Sequence, residues 1–317
     1  MTAPLHPPPP WPWLGNAQAT AARRATLWRL LGTAPVDAGM ASGRLLRTDA
    51  EGTQHWQLDL DAGEPVPALL VRPPAGMPPR GLVLYAHAHG RRFEMGADEL
   101  VAGRPALQAP PYGPVLAGRG WAALAIDQRG FGARQGPGER ALVKQALWQG
   151  RTLWGLRLRD TLAALDWLRA QPGLAALPVV TLGLSMGSTL ALWAAALDDR
   201  IAGCAELCCA AEYDALLASG GYDGHGEYFF VPGLLAAGFT LGEISALIAP
   251  RPHLSLAGRA DPLTPPEGLD ALDRSQRAAY AALGAPGAWQ QHLEDVGHTE
   301  TPAMRARVLD WLERQAA

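Results

Sequence analysis

The sequence predicts an α/β protein built on a mostly parallel β-sheet, and two observations lead to this prediction. Short, continuously apolar segments of strand length recur between residues 82 and 257. Helical patterns lie between them, the clearest being a leucine series from 158 to 168. Strands that alternate with helices form βαβ units, whose parallel strands are buried on both faces. The five apolar segments are 82–86, 121–126, 179–182, 201–209 and 253–257.

Further strands and helices flank this alternation. Trp56 and Leu58 alternate with polar residues, as expected of a half-buried antiparallel strand. The stretches 131–149 and 210–247 interrupt the pattern, and insertions at the carboxyl ends of parallel strands overhang the ligand crevice. They are interpreted either as pocket walls or as plain helical caps. The flanking elements are strands at 44–48, 54–60, 67–72 and 289–293, and helices at 17–31, 189–197 and 301–315.

Composition bounds the class of protein. The chain has 317 residues, of which 48% are hydrophobic and 18% charged, with a net charge of -3. It has no basic stretch for nucleic acid, no signal peptide and no apolar run of the roughly 18 residues that span a bilayer. We therefore expect a cytoplasmic protein that binds neither nucleic acid nor membrane. Its three cysteines are too few and too clustered for a disulfide framework and favour buried thiols over a metal site.

The chain shows no internal repeat or linker, which favours one main domain. We predict a proline-rich arm and helix over residues 1–35, packed on a domain of residues 36–317. Trp11 and Trp13 lie in the arm and are expected to fit into surface grooves. Whether copies of the chain associate is left open.

The stretch 177–200 contains the most informative motif. A β-branched strand runs directly into an Ala- and Leu-rich helix through Gly183-Leu184-Ser185-Met186-Gly187. This G-x-S-x-G turn is typical of a nucleophile elbow, in which a strained serine stands exposed and the glycines relieve crowding. The alternative interpretation is a glycine-flanked turn that has no catalytic role. We predict that Ser185 is a nucleophile.

A serine nucleophile needs a base and a carboxylate that orients it. Asp261 follows the fifth apolar segment, and His298 lies between the last strand and the last helix. Taken alone, Asp261 could equally fix an Asp-Pro turn. The order Ser, Asp, His is nevertheless the order of the elbow-type hydrolases. The sequence therefore predicts a triad of Ser185, Asp261 and His298.

The attacked carbonyl needs donors for its developing negative charge. The backbone N–H of Met186 is one, and the loop 87–90 after the first parallel strand should supply the other. We favour His89, with Gly90 second, and interpret His87 as structural. Aromatic and histidine side chains of the two insertions and the next helix are predicted to line the pocket: Phe131, Trp148, Trp154, His225, Tyr228 and Phe229.

These stretches resemble the α/β-hydrolase superfamily, in particular its dienelactone-hydrolase-like and acetyl xylan esterase-like branch. The resemblance covers about residues 80–315 and implies an eight-stranded, mostly parallel sheet, hydrolytic chemistry and no cofactor. It carries the catalytic roles onto Ser185, Asp261 and His298. The chain departs from dienelactone hydrolases, which use a cysteine nucleophile, and its loop reads HAHG instead of HG-x-G. The matching stretches include AHAHGRRFEMGADEL, IDQRGFGAR, GLSMGSTLALWAAALDDRI and LIAPRPHLSLAGRADPLTPPEG.

The function predicted from the sequence is hydrolysis of small-molecule carboxylic esters by a serine esterase. The number of aromatic residues predicted near the site suggests that the substrate carries an apolar acyl or aryl group. A peptidase or amidase of the same superfamily is the second enzyme hypothesis, but about 80 N-terminal residues cannot build the recognition propeller often found in such enzymes. A non-catalytic ligand-binding protein on a hydrolase fold is the alternative from another class.

Overall fold

In a computed structural model, residues 9–35, 40–60, 63–208 and 210–316 are described. They form one β-sheet of nine strands. The strands are β1 Ser42–Thr48, β2 Gln54–Asp59, β3 Val66–Val71, β4 Gly81–Ala86, β5 Trp121–Ile126, β6 Val179–Leu184, β7 Ile201–Leu207, β8 His253–Gly258 and β9 Trp289–Glu294. Their order across the sheet is β1-β2-β3-β5-β4-β6-β7-β8-β9. The strands β4 to β9 run parallel, whereas β1, β2 and β3 are antiparallel to their neighbours.

Helices cover both faces of the sheet. Several helices begin after an N-cap residue whose side chain accepts a backbone N–H of the first turn; Asn16, Thr152 and Thr301 are examples. The helices are α1 Ala17–Leu31, α2 Glu99–Ala102, α3 Tyr112–Ala117, α4 Glu139–Trp148, α5 Leu153–Arg169, α6 Met186–Leu197, α7 Tyr213–Ser219, α8 Leu241–Ala246, α9 Pro266–Ala282 and α10 Pro302–Glu313. Within the described ranges, no helix combines the length and apolar character that crossing a bilayer requires.

Alternate residues of each central strand face opposite cores. Leu82 and Leu84 of β4 pack in the core that includes α1, α5 and α6. Val83 and Tyr85 pack in the core on the other face, with α3 and α10. Because both faces are covered, β4 and β5 consist of glycine and hydrophobic residues alone. This arrangement confirms the predicted fold class of a mostly parallel sheet flanked by helices.

The sheet has one strand more than the eight that the resemblance implies. At its antiparallel edge, β1 pairs only with β2 among the described residues and is exposed along its whole length. The helix α6 begins at Met186, three residues earlier than expected, because it starts directly after the turn at Ser185. The strand expected at 201–209 ends at Leu207, and Cys209 lies outside the described residues.

The N-terminal segment packs on the rest of the chain. Leu31 of α1 is fully buried, and Arg24 donates to the carbonyl of Ala196 at 2.8 Å. Trp11 is buried beside Ala246, which confirms the expectation that it fits into a groove. Residues 1–8 of the proline-rich arm, and the domain start predicted at residue 36, lie outside the described residues.

The strand order places a crevice at the carboxyl end of the sheet. The chain passes from β4 to β5 on one side and returns to β6 on the other. Ligands bind in open α/β sheets at such a reversal, outside the carboxyl ends of the strands. The loop after β4 and the turn after β6 therefore face the same crevice.

Candidate active site

Ser185 lies on a sharp turn between β6 and α6. Its backbone has φ 60° and ψ -122°, a conformation that L-residues rarely adopt. A Cβ on Gly183 would lie 2.4 Å from the Gly187 carbonyl, and a Cβ on Gly187 would lie 1.9 Å from the Ala86 oxygen. Glycine is therefore required at both positions, and the turn has the geometry of the predicted nucleophile elbow.

The end of β7 holds the turn in place. The N–H of Ser185 donates to the carbonyls of Leu207, at 2.8 Å, and Cys208, at 3.1 Å. The Ser185 residue is 8% exposed. One residue before Leu207, the same strand buries Glu206, whose carboxylate accepts the Ser188 hydroxyl at 2.9 Å. The elbow is thus bonded to a neighbouring strand as well as to its own helix.

Asp261 and His298 meet at the ends of β8 and β9. The His298 Nδ1 lies 2.7 Å from the Asp261 Oδ2. An ionised carboxylate can only accept, so Nδ1 carries the proton and the Nε2 lone pair remains free for a hydroxyl proton. The approach depends on Gly258, where a Cβ would lie 2.1 Å from the Val296 oxygen. The structure therefore brings together the imidazole predicted to be the general base and the carboxylate predicted to orient it.

Cys208 lies between the elbow and this pair. Its Sγ, an Asp261 carboxylate oxygen and a His298 ring nitrogen all lie within 4.8 Å of one another. Burial, with a contribution from the Asp261 charge, raises the pKa of the Cys208 thiol to about 12. A thiol in this state is a poor nucleophile. Because the Ser185 N–H is bonded to the Cys208 carbonyl, the elbow is next to the Asp261–His298 pair.

The loop after β4 is anchored by buried charges. The Ala88 N–H lies 3.1 Å from both carboxylate oxygens of Glu99, and the Ala88 carbonyl accepts from Arg104 at 2.9 Å. Glu99 and Arg104 also pair with each other. Both polar groups of Ala88 are therefore occupied. Among the hydrogen bonds of the described residues, none uses the N–H of Met186 or of His89.

His87 is a structural residue, as expected from the sequence. It is buried, its Nδ1 lies 3.1 Å from the Ala88 carbonyl, and its Nε2 accepts the Gln128 N–H at 3.2 Å. Burial lowers the pKa of His87 to about 3. The ring is therefore neutral near pH 7 and joins the loops after β4 and β5.

The His89 side chain is held by a charged pair from two helices. Its Nε2 lies 2.9 Å from the Glu139 Oε1 of α4, and the other Glu139 oxygen accepts from Arg157 of α5 at 2.7 Å. Burial alone would raise the pKa of Glu139, but the His89 hydrogen bond and the Arg157 charge outweigh it and lower the pKa. The fully buried Arg157 also contacts the Met186 sulfur at 3.3 Å. One ion pair therefore touches the residues of both proposed oxyanion donors.

Most of the predicted pocket residues surround His89. Tyr228 stacks on its ring, with centroids 5.1 Å apart, and Phe131 packs edge-on at the same separation. Trp154 is fully buried behind Tyr228 and Phe229. The buried Phe131, Trp154 and Tyr228 form the wall behind the loop and line neither of the cavities described next, whereas Phe229 is half-buried.

Two cavities adjoin this wall. The first, of about 610 Å³, is lined by His89, His225 and other mainly polar residues. The His225 Nε2 donates to the Leu263 carbonyl at 2.8 Å, and burial lowers the pKa of His225. The second, of about 320 Å³, is mainly apolar and includes Phe229. Tyr222 and Phe230 line both cavities, so the two spaces share a wall.

Trp148 contradicts the prediction that it lines the pocket. Its residue is 94% exposed and borders neither of these cavities. It is the last residue of α4, and the helix turns its other face toward the protein through Leu142 and Ala146. Aromatic character suggested a pocket role, but the helix phase decides which side a residue faces.

Several residues of the site were missed in the sequence. Glu139 begins a helix with a weak apolar pattern, and Arg157 stands between leucines on the buried side of α5. A charged residue at a buried position of a helix must be paired, and this was the available signal. Glu99 gave no comparable pattern because it lies in a helix of only four residues, and Arg104 and Phe93 gave none because they lie in loops.

Comparison with known proteins agrees with this architecture. No family model matches the chain. A solved glucuronoyl esterase from Solibacter usitatus has a TM-score of 0.68 at 15% identity, covering 95% of this chain and 94% of that one. An acetyl xylan esterase from Paenibacillus sp. R4 has a TM-score of 0.59 at 19% identity, covering 95% and 96%. At these identities the likeness shows the fold alone, a mostly parallel sheet flanked by helices.

A relative that is similar in sequence as well as in fold shows which family the chain belongs to. Over 297 residues the chain is 38% identical to the Bacillus subtilis (strain 168) protein named "Putative hydrolase YtaP". The match covers 93% of this chain and 99% of that protein. The chain belongs to the same family as YtaP, which confirms the α/β-hydrolase resemblance found in the sequence.

Proposed function

We propose that the protein hydrolyses carboxylic esters with Ser185 as nucleophile, His298 as general base and Asp261 as the carboxylate that orients His298. The observation that carries the proposal is the 2.7 Å contact between His298 Nδ1 and Asp261 beside the strained turn at Ser185. A serine hydroxyl is a weak nucleophile near pH 7, and an oriented imidazole is what activates it. The names of the two solved neighbours reported above, both esterases, support the same chemistry.

In this mechanism His298 Nε2 removes the Ser185 proton as Oγ attacks the ester carbonyl carbon. The carbonyl π electrons move to oxygen, and the N–H groups of Met186 and His89 stabilise the resulting oxyanion, with the N–H of Gly90 as the alternative second donor. Collapse of the tetrahedral intermediate breaks the C–O bond, and His298 protonates the departing alcohol. Water then attacks the acyl-enzyme by the same route and releases the acid.

The cavity beside His89 suggests the kind of ester. Its lining includes Arg91, Asp223 and Glu227, and the aromatic rings of Phe93, Tyr222 and Phe230. Polar side chains can bond hydroxyl groups, and aromatic faces pack against sugar rings. We therefore propose a small acyl ester of a hydroxyl-rich alcohol, in keeping with the carbohydrate esters named for the solved neighbours. The apolar acyl or aryl group expected from the sequence fits the smaller cavity.

The proposal is tested with Ser185→Ala and a panel of substrates. We expect Ser185→Ala to lower kcat/KM for p-nitrophenyl acetate by about 10⁴-fold or more with an unchanged unfolding midpoint. Wild-type activity retained by this variant would overturn the mechanism. The panel compares an acetylated sugar, p-nitrophenyl hexanoate and the amide matched to the acetate. Equal cleavage of ester and amide would favour the amidase hypothesis.

A further inference from the structure

The thiol of Cys208 has no part in the proposed ester hydrolysis, although it lies at the centre of the site. Cys208 follows β7 and has φ 56°, a left-handed conformation that is rare for a residue with a side chain. Its Sγ, a carboxylate oxygen of Asp261 and a ring nitrogen of His298 lie within 4.8 Å of one another. Strained backbone at a functional site is a reason to ask what the side chain does there.

These three side chains offer one sulfur, one oxygen and one nitrogen. Zn²⁺ binds this combination of ligands, and three protein ligands leave one position of a tetrahedron for water. A thiolate and a carboxylate together balance the charge of a divalent ion. Mg²⁺ and Ca²⁺ prefer oxygen ligands alone, so the sulfur selects against them. The donor set thus points to a thiophilic metal ion.

The site is both buried and reachable. Cys208 and Asp261 are buried, so their charged forms are poorly hydrated and gain from a cation nearby. The His298 side chain is 25% exposed, which gives an ion a path from solvent. Asp261 and His298 are already 2.7 Å apart, so small side-chain movements bring all three ligand atoms around one ion.

We propose that Cys208, Asp261 and His298 form a binding site for a thiophilic divalent cation such as Zn²⁺, and that occupancy stops hydrolysis. Binding breaks the S–H bond of Cys208, releases its proton to water and forms a metal–sulfur bond, with no change of oxidation state. Asp261 and His298 become ligands, so neither can serve Ser185. The inhibition rests on the proposed function, whereas the binding does not.

Binding is measured first, without activity. Cd²⁺ titration should produce an ultraviolet charge-transfer band, characteristic of a cadmium–thiolate bond, in the wild type and in Ser185→Ala. The band should disappear in Cys208→Ala and in Cys208→Ser, which keeps the connectivity of the side chain and replaces only sulfur by oxygen. Cys204→Ala removes another buried thiol, which lies in β7 four residues before Cys208, and should keep the band. A band of equal strength in the Cys208 variants would overturn the proposal.

Inhibition is measured next, relative to the metal-free rate of each variant. Zn²⁺ should inhibit the wild type and Cys204→Ala reversibly, with full recovery after addition of a chelator. Outer-shell changes already cost about 10–100-fold in metal affinity, so loss of a ligand in Cys208→Ser should raise the inhibitory concentration at least as much. Equal inhibition of Cys208→Ser and wild type would overturn the proposal. A cadmium band without any esterase activity would instead overturn the proposed function and leave the metal site standing.

Discussion

Two turns meet at the candidate site, and different forces hold them. The turn at Ser185 is fixed by backbone contacts: Gly187 packs directly against β4, and the Ser185 N–H bonds the end of β7. The loop 87–90 is fixed by buried side chains, with Glu99 binding its backbone and Glu139 binding the His89 ring. A turn made by its own glycines is encoded locally, whereas a loop held by distant charges depends on the whole fold.

The difference has a physical consequence. Backbone contacts at the elbow leave no room for a larger residue, so changes there act on folding. Charged contacts at the loop can be weakened while the backbone stays in place, so changes there should act first on turnover. Four substitutions test this contrast.

The largest effect is expected at Gly187. An added Cβ would lie 1.9 Å from the Ala86 oxygen, so Gly187→Ala should destabilise the protein by about 3 kcal/mol or more, or prevent folding. Gly287→Ala is the matched control, because its Cβ would meet nothing within 4 Å. Urea unfolding of both variants measures the effect. Equal midpoints would show that the elbow is not confined as described.

The second largest effect is expected in the pH dependence of stability, through Glu206 of β7. Burial raises the pKa of Glu206 to about 7 from an ordinary 4.5. Between pH 4.5 and about 7, Glu206 keeps its proton in the folded state but has lost it in the unfolded state. The contribution of Glu206 to the free energy of unfolding is therefore complete below pH 4.5 and is lost as the pH rises to about 7. Since one pKa unit is worth about 1.4 kcal/mol, the loss is on the order of 3 kcal/mol. Glu206→Gln should remove it.

This prediction is checked by urea unfolding at pH 5 and pH 8. The wild type should lose more stability across this range than Glu206→Gln. Glu212, whose pKa burial also raises to about 7, should leave a similar slope in the variant. Glu227→Gln, which changes an exposed carboxylate, should keep the wild-type slope. Parallel slopes for Glu206→Gln and wild type would refute the assignment.

A smaller effect is expected at the loop. Glu139→Gln weakens the hold on the His89 ring and leaves Arg157 with a neutral partner, so we expect kcat to fall about tenfold, or about 1.4 kcal/mol, with KM nearly unchanged. Glu313→Gln is the control, since it removes an exposed carboxylate at the end of α10 that pairs with Arg80 and lines neither cavity. A change confined to the unfolding midpoint would mean that Glu139 is purely structural.

The smallest effect is expected at Trp148. Because this side chain is exposed and outside both cavities, Trp148→Ala should keep kcat/KM for p-nitrophenyl acetate within about twofold of wild type, as is usual for surface changes. Tyr228→Ala, which removes the ring stacked on His89, should lower it clearly. A large loss in Trp148→Ala would place the outer face of α4 in the site.

The sequence predicted the features that depend on near neighbours. The helix α1 was expected at 17–31 and spans Ala17–Leu31, and β5 was expected at 121–126 and spans Trp121–Ile126. The turn at Ser185 was predictable because its glycines, strand and helix are contiguous. The contact between Asp261 and His298 was predictable because each follows a strand, and the carboxyl ends of parallel strands share one edge of the sheet.

The rest could not be predicted, because it depends on pairs far apart in the chain. Glu139 and His89 are separated by 50 residues, and nothing near either one indicates the partner. The exposed face of Trp148 depends on how α4 is rotated, and its short apolar pattern does not fix that rotation. The proximity of Cys208 to His298 arises from three strand ends and has no local signal.

The central claim, that Ser185 is the activated nucleophile, is tested most directly by labelling with a fluorophosphonate and locating the modified residue by mass spectrometry. We predict one equivalent of label on Ser185 in the wild type, none in Ser185→Ala, and much slower labelling in His298→Ala. A folded wild-type protein that takes no label, or one labelled elsewhere with Ser185 unmodified, would contradict the account.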